Sequence, residues 1–318
     1  MFFPTMPDKF GISFPGCPPW TLPILAAIQD RGEYPTGWTH SKNDSGSNDE
    51  GTRVSVRLTH DATGTTVVGN EYGTRKVEFA PARMLRPTNV HLPLDDEELE
   101  AAWSKAQRIV GEVADLSGCR GHLSRLDLTC YVPVQTDLII QLFDRLSAPG
   151  FRKATYPARY EGGLHWKGSN KNLLFYSKAL EQGEPDTDDR TRIELQLHGN
   201  TIARVLGYDA GGKVYEVGVK QCYQSLRRYL LTFPAASVAP EYSQDALVAH
   251  ASSMGVRAPD GRSLLEWRLD DIKNPKHRRK TRKHIEGMLL KCADFNWADY
   301  LPEDPTPEQW KELCGYRN

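Results

Sequence analysis

Two segments with alternating side chains constrain the fold of this chain more than any other feature. They are SRLDLTCYV at residues 124–132 and TRIELQLHG at residues 191–199. Because residues two apart on a strand share a face, each segment has one apolar face and one polar face. Both polar faces carry an arginine two residues before an acid: Arg125 with Asp127, and Arg192 with Glu194. The alternation predicts two strands that bury one side of a sheet.

Other periodic segments predict helices beside that sheet. Strand patterns cover residues 53–60, 75–80 and 172–180, and helix patterns cover residues 95–116 and 134–150. Runs of strands mixed with runs of helices are typical of an α+β fold. We therefore expect an antiparallel β-sheet with helices packed on one side, followed by a smaller helical C-terminal region.

The composition along the chain suggests where these parts begin and end. We expect a main domain over residues 1–235, in which the Ser-, Asn- and Gly-rich residues 41–51 form a flexible loop. Residues 240–318 become helical and basic, and we expect them to form the C-terminal region. The chain has 318 residues, which is enough for one large domain with an appendage.

Several classes of protein do not fit this composition. No apolar run approaches the roughly 20 residues that cross a bilayer, and the first 23 residues lack the pattern of a secretory signal. We therefore expect a cytoplasmic protein with no membrane partner. The six cysteines include no CxxC pair, which argues against a zinc ribbon or a redox motif and favours free thiols.

The two arginine–acid strands offer a site for a divalent cation. If the strands are neighbours, Asp127 and Glu194 converge as oxygen ligands for Mg²⁺ or Mn²⁺. Arg125 and Arg192 would then bind DNA phosphates or hold the carboxylates in place. The alternative is a pair of ordinary amphipathic strands with cross-strand ion pairs, and the spacing does not decide between them.

A tyrosine lies between these strands in the sequence FYSKALEQ. On a strand, Tyr176 and Lys178 would share a face, and the lysine would supply the cation that a phenol needs to act as a nucleophile. The alternative is a packed aromatic residue with its hydroxyl at the surface. Glu181 has the opposite parity, so it joins this face only if the strand ends or bulges near Leu180.

A basic stretch and a group of aromatic residues suggest binding to nucleic acid. Residues 273–283, KNPKHRRKTRK, are predicted to follow a DNA backbone, although a solvated helix face is the alternative. The predicted DNA contacts in this stretch are Lys276, Arg278, Arg279 and Arg282. Tyr160, His165 and Trp166 precede Tyr176 and are predicted to stack on bases, with core packing as the alternative for Trp166.

Several of these motifs occur together, in order, in a known family. SRLDLT, then W-x-G-S followed by NLLFYSKALEQ, then RIELQL resemble the gene II replication initiators of filamentous phages. They resemble more distantly the replication-initiation proteins of rolling-circle plasmids. VEFAPARMLRPTNV at residues 77–90 also looks like that family, and the resemblance covers roughly residues 75–210.

The resemblance implies a sequence-specific DNA nickase in residues 1–235. Its tyrosine would become joined to a 5′ phosphate, leave a 3′ hydroxyl for extension, and later rejoin the strand. The family's Y-x-K-x-x-E motif falls on Tyr176, Lys178 and Glu181, and its two strand acids fall on Asp127 and Glu194. Those two acids and Glu181 are the metal ligands that the resemblance implies.

The resemblance also implies binding partners, and the chain differs from the larger nickase superfamily in one respect. The partners would be single-stranded or supercoiled origin DNA with host helicase and polymerase, in the cytoplasm of a bacterial host. The chain has no His-x-His pair, so its metal would be held mainly by carboxylates. His198 is predicted to lie on the same face as Glu194, where a lone histidine is more often structural.

Two other functions remain open from the sequence. One is a non-catalytic DNA-binding repressor or copy-control protein, which would need the basic stretch but not the tyrosine and the two acids together. The other is a relaxase-like mobilisation nickase, which would use the same chemistry in DNA transfer.

Overall fold

The structure is a computed structural model of the chain. It describes residues 6–14, 35–43, 55–70, 73–87, 90–144, 148, 151, 157–183, 190–209, 212–214, 216–233, 248, 257–270, 272–292 and 296–316. Residues 44–51 of the predicted flexible loop lie outside these ranges. Residues 41–43 belong to a strand instead.

Ten strands in the described residues form one antiparallel sheet. They are β1 (Met6–Ser13), β2 (Trp38–Asn43), β3 (Ser55–His60), β4 (Thr66–Asn70), β5 (Gly73–Phe79), β6 (His122–Val132), β7 (Ala158–Tyr160), β8 (Gly163–Lys167), β9 (Lys171–Tyr176) and β10 (Thr191–His198). Their order across the sheet is β2-β3-β4-β5-β1-β6-β10-β9-β8-β7. β1 therefore lies in the middle, between the consecutive strands β2–β5 and β6, and β6 pairs in turn with the consecutive strands β7–β10 through β10.

Helices connect several of these strands, and further helices form the C-terminal part of the chain. They are α1 (Pro81–Leu85), α2 (Asp96–Val110), α3 (Thr136–Phe143), α4 (Lys178–Glu181), α5 (Asn200–Leu206), α6 (Val219–Leu231), α7 (Leu264–Asp270), α8 (Pro275–Cys292), α9 (Trp297–Tyr300) and α10 (Pro307–Leu313). In the described residues no helix is long and apolar enough to cross a bilayer.

The predicted α+β architecture is confirmed. The apolar residues of β6 and β10, such as Leu126, Leu128 and Leu195, are completely or almost completely buried. They form one core with residues of α3, α5 and α6. An aromatic cluster extends this core, in which Phe175 of β9 contacts Phe143 of α3 with ring centroids 5.5 Å apart. The opposite face of β6 and β10 is left to polar side chains.

One predicted strand ends sooner than its sequence pattern suggested. Residues 172–180 do not form a continuous strand, because β9 ends at Tyr176. Ser177 then caps α4, since its side chain accepts a hydrogen bond from the backbone N–H of Leu180. The prediction that Lys178 continues the strand is therefore wrong.

The C-terminal helices pack in two different ways. Trp297 of α9, Leu301 directly after α9, and Trp310 of α10 belong to the core of the sheet. α8 packs against α3 and α7, and its buried Ile285 belongs to a small separate apolar cluster with Val248. The boundary that we placed near residue 240 remains a prediction.

The cysteines differ in one respect from the expectation of free thiols. Cys130, Cys222 and Cys314 are free and buried. Cys119 is bonded in a disulfide. The prediction of free thiols is therefore wrong at Cys119, because scattered spacing along the chain does not report which cysteines meet in space.

Candidate active site

The two acids of the arginine–acid motifs lie on the same face of neighbouring strands. β6 pairs directly with β10, so that Asp127 lies opposite Gln196 and Thr129 lies opposite Glu194. Because Glu194 and Gln196 are two residues apart, Glu194 lies on the same face as Asp127, one diagonal step away. The structure therefore brings the two predicted acids into one polar patch.

Tyr176 reaches this patch from the other side of β10. β9 pairs with β10, and Tyr176 lies opposite Arg192. The buried Tyr176 hydroxyl donates a hydrogen bond of 3.0 Å to Oε2 of Glu194. The other carboxylate oxygen, Oε1, accepts from the side-chain amide of Gln196 at 2.7 Å. The Gln196 amide is held in turn by Asn172, whose Nδ2 donates to Oε1 of Gln196 at 2.9 Å.

Asp127 is held by the arginine of its own strand. Nε of Arg125 donates to Oδ1 of Asp127 at 2.9 Å, and Nη2 donates to Oδ2 at 2.6 Å. This two-point geometry is the strong form of a charge-assisted pair. Arg125 thus holds a carboxylate in place, which is one of its two predicted roles.

Arg192 differs from Arg125 in both burial and partner. It is completely buried, and its Nη2 lies 2.6 Å from Oδ1 of Asp8 on β1. Its Nη1 donates to the Tyr131 hydroxyl at 2.9 Å. The predicted contact between Arg192 and a DNA phosphate must be corrected, because its guanidinium has no exposed surface.

Lys178 and Glu181 form a pair on α4. Lys178 is buried and its Nζ donates to Oε2 of Glu181. It lies over the Tyr176 ring, 6.0 Å from the ring centroid. This ammonium therefore lies against the aromatic ring of Tyr176. Glu181 lies near Tyr176 because β9 ends at Tyr176 and α4 begins at Lys178. The sequence pattern required such a strand end before Glu181 could join the face of Tyr176.

A cavity of about 630 Å³ opens beside Tyr176. Its wall includes Tyr176, Glu194 and Glu181, together with Tyr160 and Glu161 from the β7–β8 hairpin. Tyr160 is 43% exposed. Its ring lies over Gly163, where an added Cβ would come within 2.5 Å of the phenol. Three glutamates therefore line the same cavity as Tyr176.

Burial changes the protonation of the central groups. Burial, and after it the charge of Glu194, raise the pKa of Asp127 to about 7, although Arg125 opposes this shift. Burial also raises the pKa of the Tyr176 phenol well above its usual value, and the nearby Arg192 opposes that shift. Tyr176 is therefore a neutral hydrogen-bond donor, and it needs a proton acceptor before it can attack.

The aromatic and histidine residues singled out from the sequence lie in different places. Trp166 is completely buried in the core and contacts Phe175, with ring centroids 5.0 Å apart. His165 lies opposite Leu174 of β9, on the polar face. His198 lies opposite Arg125, and burial followed by the charge of Arg125 lowers its pKa. Of the three predicted stacking residues, Tyr160 is the exposed one at the cavity.

The predicted DNA contacts of the basic stretch lie near the start of α8. Lys276, Arg278, Arg279 and Arg282 are all exposed. Arg278 also holds α7, since its Nη2 lies 2.7 Å from Asp270 and its Nε donates to the Leu269 carbonyl at 2.8 Å. Lys276 and Arg279 are therefore better placed than Arg278 to meet a phosphate.

Sequence reasoning missed Asp8 and Glu161. Asp8 enters through the pairing of β1 with β6, which joins residues more than 100 positions apart. No local pattern reports such a contact. Glu161 follows Tyr160 in a tight hairpin, and the Gly-Gly pair at residues 162–163 was the available signal.

Comparison with known proteins adds little to this geometry. No model of a protein family matches the sequence, and no curated protein matches it. A solved structure with some similarity is a rolling circle replication initiator protein from Geobacillus stearothermophilus. It has 17% sequence identity and a TM-score of 0.33, over 62% of this chain and 75% of that one. Similarity this low does not transfer the activity of that protein to this chain.

Proposed function

We propose that this protein initiates rolling-circle replication by nicking one strand of origin DNA with Tyr176. The observation that carries the proposal is the hydrogen bond from the Tyr176 hydroxyl to Glu194 in an open cavity. A phenol that is hydrogen-bonded to a carboxylate at the wall of a cavity has the partner that a covalent nucleophile requires. The resemblance of the surrounding motifs to gene II initiators supports the same role.

In the proposed step, Tyr176 displaces the 3′ oxygen from the phosphorus atom. The Tyr176 oxygen forms a bond to phosphorus, and its proton passes to Glu194 along the existing hydrogen bond. The bond from phosphorus to the 3′ oxygen breaks, and that oxygen takes a proton from water; the hydroxide left behind takes the proton from Glu194, which restores the carboxylate. The product is a 5′-phosphotyrosine and a free 3′ hydroxyl. Reversal of the step would rejoin the strand, since the phosphodiester energy is kept in the phosphotyrosine.

The charges of the cavity favour a divalent cation. Glu161, Glu181 and Glu194 line it, so a phosphate would meet repulsion unless a cation were present. Among the described residues no cluster of three His, Cys, Asp or Glu side chains is close enough to bind a metal. Mg²⁺ and Mn²⁺ nevertheless fit, because Mg²⁺ commonly uses one or two carboxylates together with water and substrate phosphate.

Glu194 is the carboxylate that would hold this cation, with Asp127 and Glu181 as the further candidates. Asp127 would have to loosen its pairing with Arg125, and Glu181 its pairing with Lys178. When bound, the cation would neutralise charge on the phosphate oxygens. Arg125 would orient Asp127, and Lys178 would pack on the ring of Tyr176.

The DNA would be bound by Tyr160 at the cavity and by the basic part of α8, which packs on α3. Tyr160 offers an exposed ring on which a base can stack. Lys276 and Arg279 of α8, with Arg282 beside them, offer exposed charge to the backbone. Single-stranded or supercoiled origin DNA is the proposed substrate, and host helicase and polymerase would act on the nicked product.

The experiment that tests this function is covalent trapping. Labelled single-stranded origin DNA is incubated with the protein and Mg²⁺ or Mn²⁺, and a denaturing gel reports any stable protein–DNA band. The wild type should give the band, and Tyr176→Phe should lose it while still binding DNA. A repressor would give no band with either protein. A mobilisation nickase would give the same band, so the neighbouring genes must separate it from a replication initiator.

A further inference from the structure

Two motifs with the same spacing form different ion pairs in this structure. In β6, Arg125 pairs with Asp127, the acid two residues later on its own strand. In β10, the acid at that position is Glu194, and its two hydrogen bonds come from the neutral groups of Tyr176 and Gln196. Arg192 pairs with Asp8 of β1 instead. The sequence pattern alone would predict the same pairing in both strands.

A β-bulge places Asp8 in this position. In the ladder between β1 and β6, Pro7 lies opposite Leu128 and Lys9 lies opposite Asp127, so Asp8 is an extra residue between them. Lys9 faces the polar side, where it approaches Glu78 at 3.8 Å. Asp8 reaches Arg192 on that same side. Two consecutive residues serve one face only where the alternation of a strand is interrupted, and a bulge does this.

The cost of burying a charge makes the carboxylate partner of Arg192 important. A completely buried guanidinium without a carboxylate is strongly unfavourable, because it has lost its hydration. Glu194 is two residues from Arg192 along β10, on the same face and roughly 7 Å away along the strand. An arginine side chain spans that distance. Without Asp8, Arg192 could therefore reach Glu194, the acid on the same face of its own strand.

We propose that Asp8 is a positioning residue that engages Arg192 and thereby keeps Glu194 available for Tyr176 and a cation. The value of an available Glu194 rests on the function proposed above, whereas the ion-pair exchange does not depend on it. An arginine paired with Glu194 would compete with the tyrosine hydroxyl for the carboxylate oxygens. It would also cancel the negative charge that attracts a divalent cation.

The test compares Asp8→Asn with the double variant Asp8→Asn/Arg192→Gln in the full-length protein. Crystal structures report the position of residue 192, and titration with Mn²⁺ alone reports the affinity of the centre. In Asp8→Asn, Arg192 should move within ion-pair distance of Glu194, and Mn²⁺ affinity should fall roughly 10–100-fold, as for other outer residues of metal sites. In the double variant, which has no arginine to release, the affinity should return.

The matched control is Glu78→Gln, which removes another buried acid from the same face. Glu78 pairs with Lys76 and Lys9, so its loss should leave Arg192 with Asp8 and Mn²⁺ affinity near that of the wild type. An Asp8→Asn structure in which Arg192 stays in place would overturn the proposal. So would a double variant that binds Mn²⁺ no better than Asp8→Asn.

Two further outcomes show whether the ion-pair proposal or the proposed function has failed. If Asp8→Asn does not fold, the double variant still decides, because it should fold and bind Mn²⁺ at least as tightly as the wild type. Weaker binding there would contradict the proposal. If the wild type binds no Mn²⁺, the metal part of the proposed function fails, and the position of Arg192 in the Asp8→Asn structure still tests the ion-pair exchange.

Discussion

The Tyr176 hydroxyl donates a hydrogen bond of 3.0 Å to Oε2 of Glu194. This contact links the proposed nucleophile to a carboxylate that has a second neutral donor in Gln196. A tyrosine whose pKa is raised by burial cannot be deprotonated by solvent near neutral pH. Glu194 is therefore the group that we expect to accept the proton.

The substitution Glu194→Gln tests this acceptor. Glutamine keeps an oxygen that can accept the Tyr176 hydrogen bond but removes the negative charge. We expect the rate of covalent attachment to fall by at least about 10²-fold, because the variant loses both the general base and the proposed cation ligand, while Tyr160 and α8 still bind DNA. Single-turnover adduct formation on labelled DNA measures the rate. A variant as fast as the wild type would remove Glu194 from the mechanism.

Asp127 should give the fold a specific pH dependence. Burial and then Glu194 raise its pKa to about 7, whereas the unfolded chain should show about 3.9. The folded state thus holds the proton more tightly between these values, and this contribution to the free energy of unfolding falls as pH rises from about 4 to about 7. Above pH 7 the contribution no longer changes.

The control for this prediction is Asp127→Asn, which does not titrate. The free energy of unfolding of the variant, minus that of the wild type, should rise between about pH 4 and about pH 7 and then level off. Urea denaturation at several pH values measures both proteins. A difference that does not vary with pH would mean that the pKa of Asp127 is not raised.

Tyr160 should contribute to DNA binding through its ring. Its exposed side chain lies at the cavity that contains Tyr176, and stacking on one base contributes about 1–3 kcal/mol. Tyr160→Ala should therefore weaken binding of single-stranded DNA roughly 5- to 150-fold, and Tyr160→Phe should not. Fluorescence anisotropy with a labelled oligonucleotide measures both.

The chain provides a matched control for Tyr160. Tyr208 is 44% exposed, and it lines a different cavity together with Trp103. Tyr208→Ala removes a ring of equal exposure and should leave DNA affinity unchanged. Equal losses at the two positions would mean that Tyr160 has no particular role.

The basic part of α8 should change the salt dependence of binding. Each phosphate contact contributes about 0.7 to 0.9 to the slope of log affinity against log salt. Lys276→Ala/Arg279→Ala should therefore flatten the slope by about 1.4 to 1.8 if both residues meet phosphates. Lys105→Ala/Arg108→Ala is the control, since these exposed residues lie on α2. An unchanged slope in the α8 variant would favour a solvated helix face.

Much of the central sheet was predictable because it rests on local alternation. Parity assigned Asp127 and Glu194 to the polar faces of β6 and β10, and the structure pairs those strands directly. The end of β9 was missed because Ala179 keeps the strand parity of Leu173 and Phe175, and no Gly or Pro follows Tyr176 before Gly183. The capping role of Ser177 outweighs that pattern.

The ion-pair partners of the two arginines could not be predicted from local sequence patterns. Arg192 and Arg125 stand in the same local pattern, yet one pairs with Asp8 and the other with Asp127. That difference is set by a bulge in β1 and by the position of β1 beside β6. Contacts of this kind depend on the order of strands, which no single segment reports.

Mass spectrometry can identify the tyrosine that becomes attached to DNA. Trypsin should release Tyr176 in residues 172–178 and Tyr160 in residues 160–167, so mass spectrometry of a trapped and digested adduct separates them. Our account predicts that the nucleotide phosphate is found on residues 172–178, and that Tyr176→Phe leaves no adduct. An adduct on residues 160–167, or on any other peptide, would contradict it.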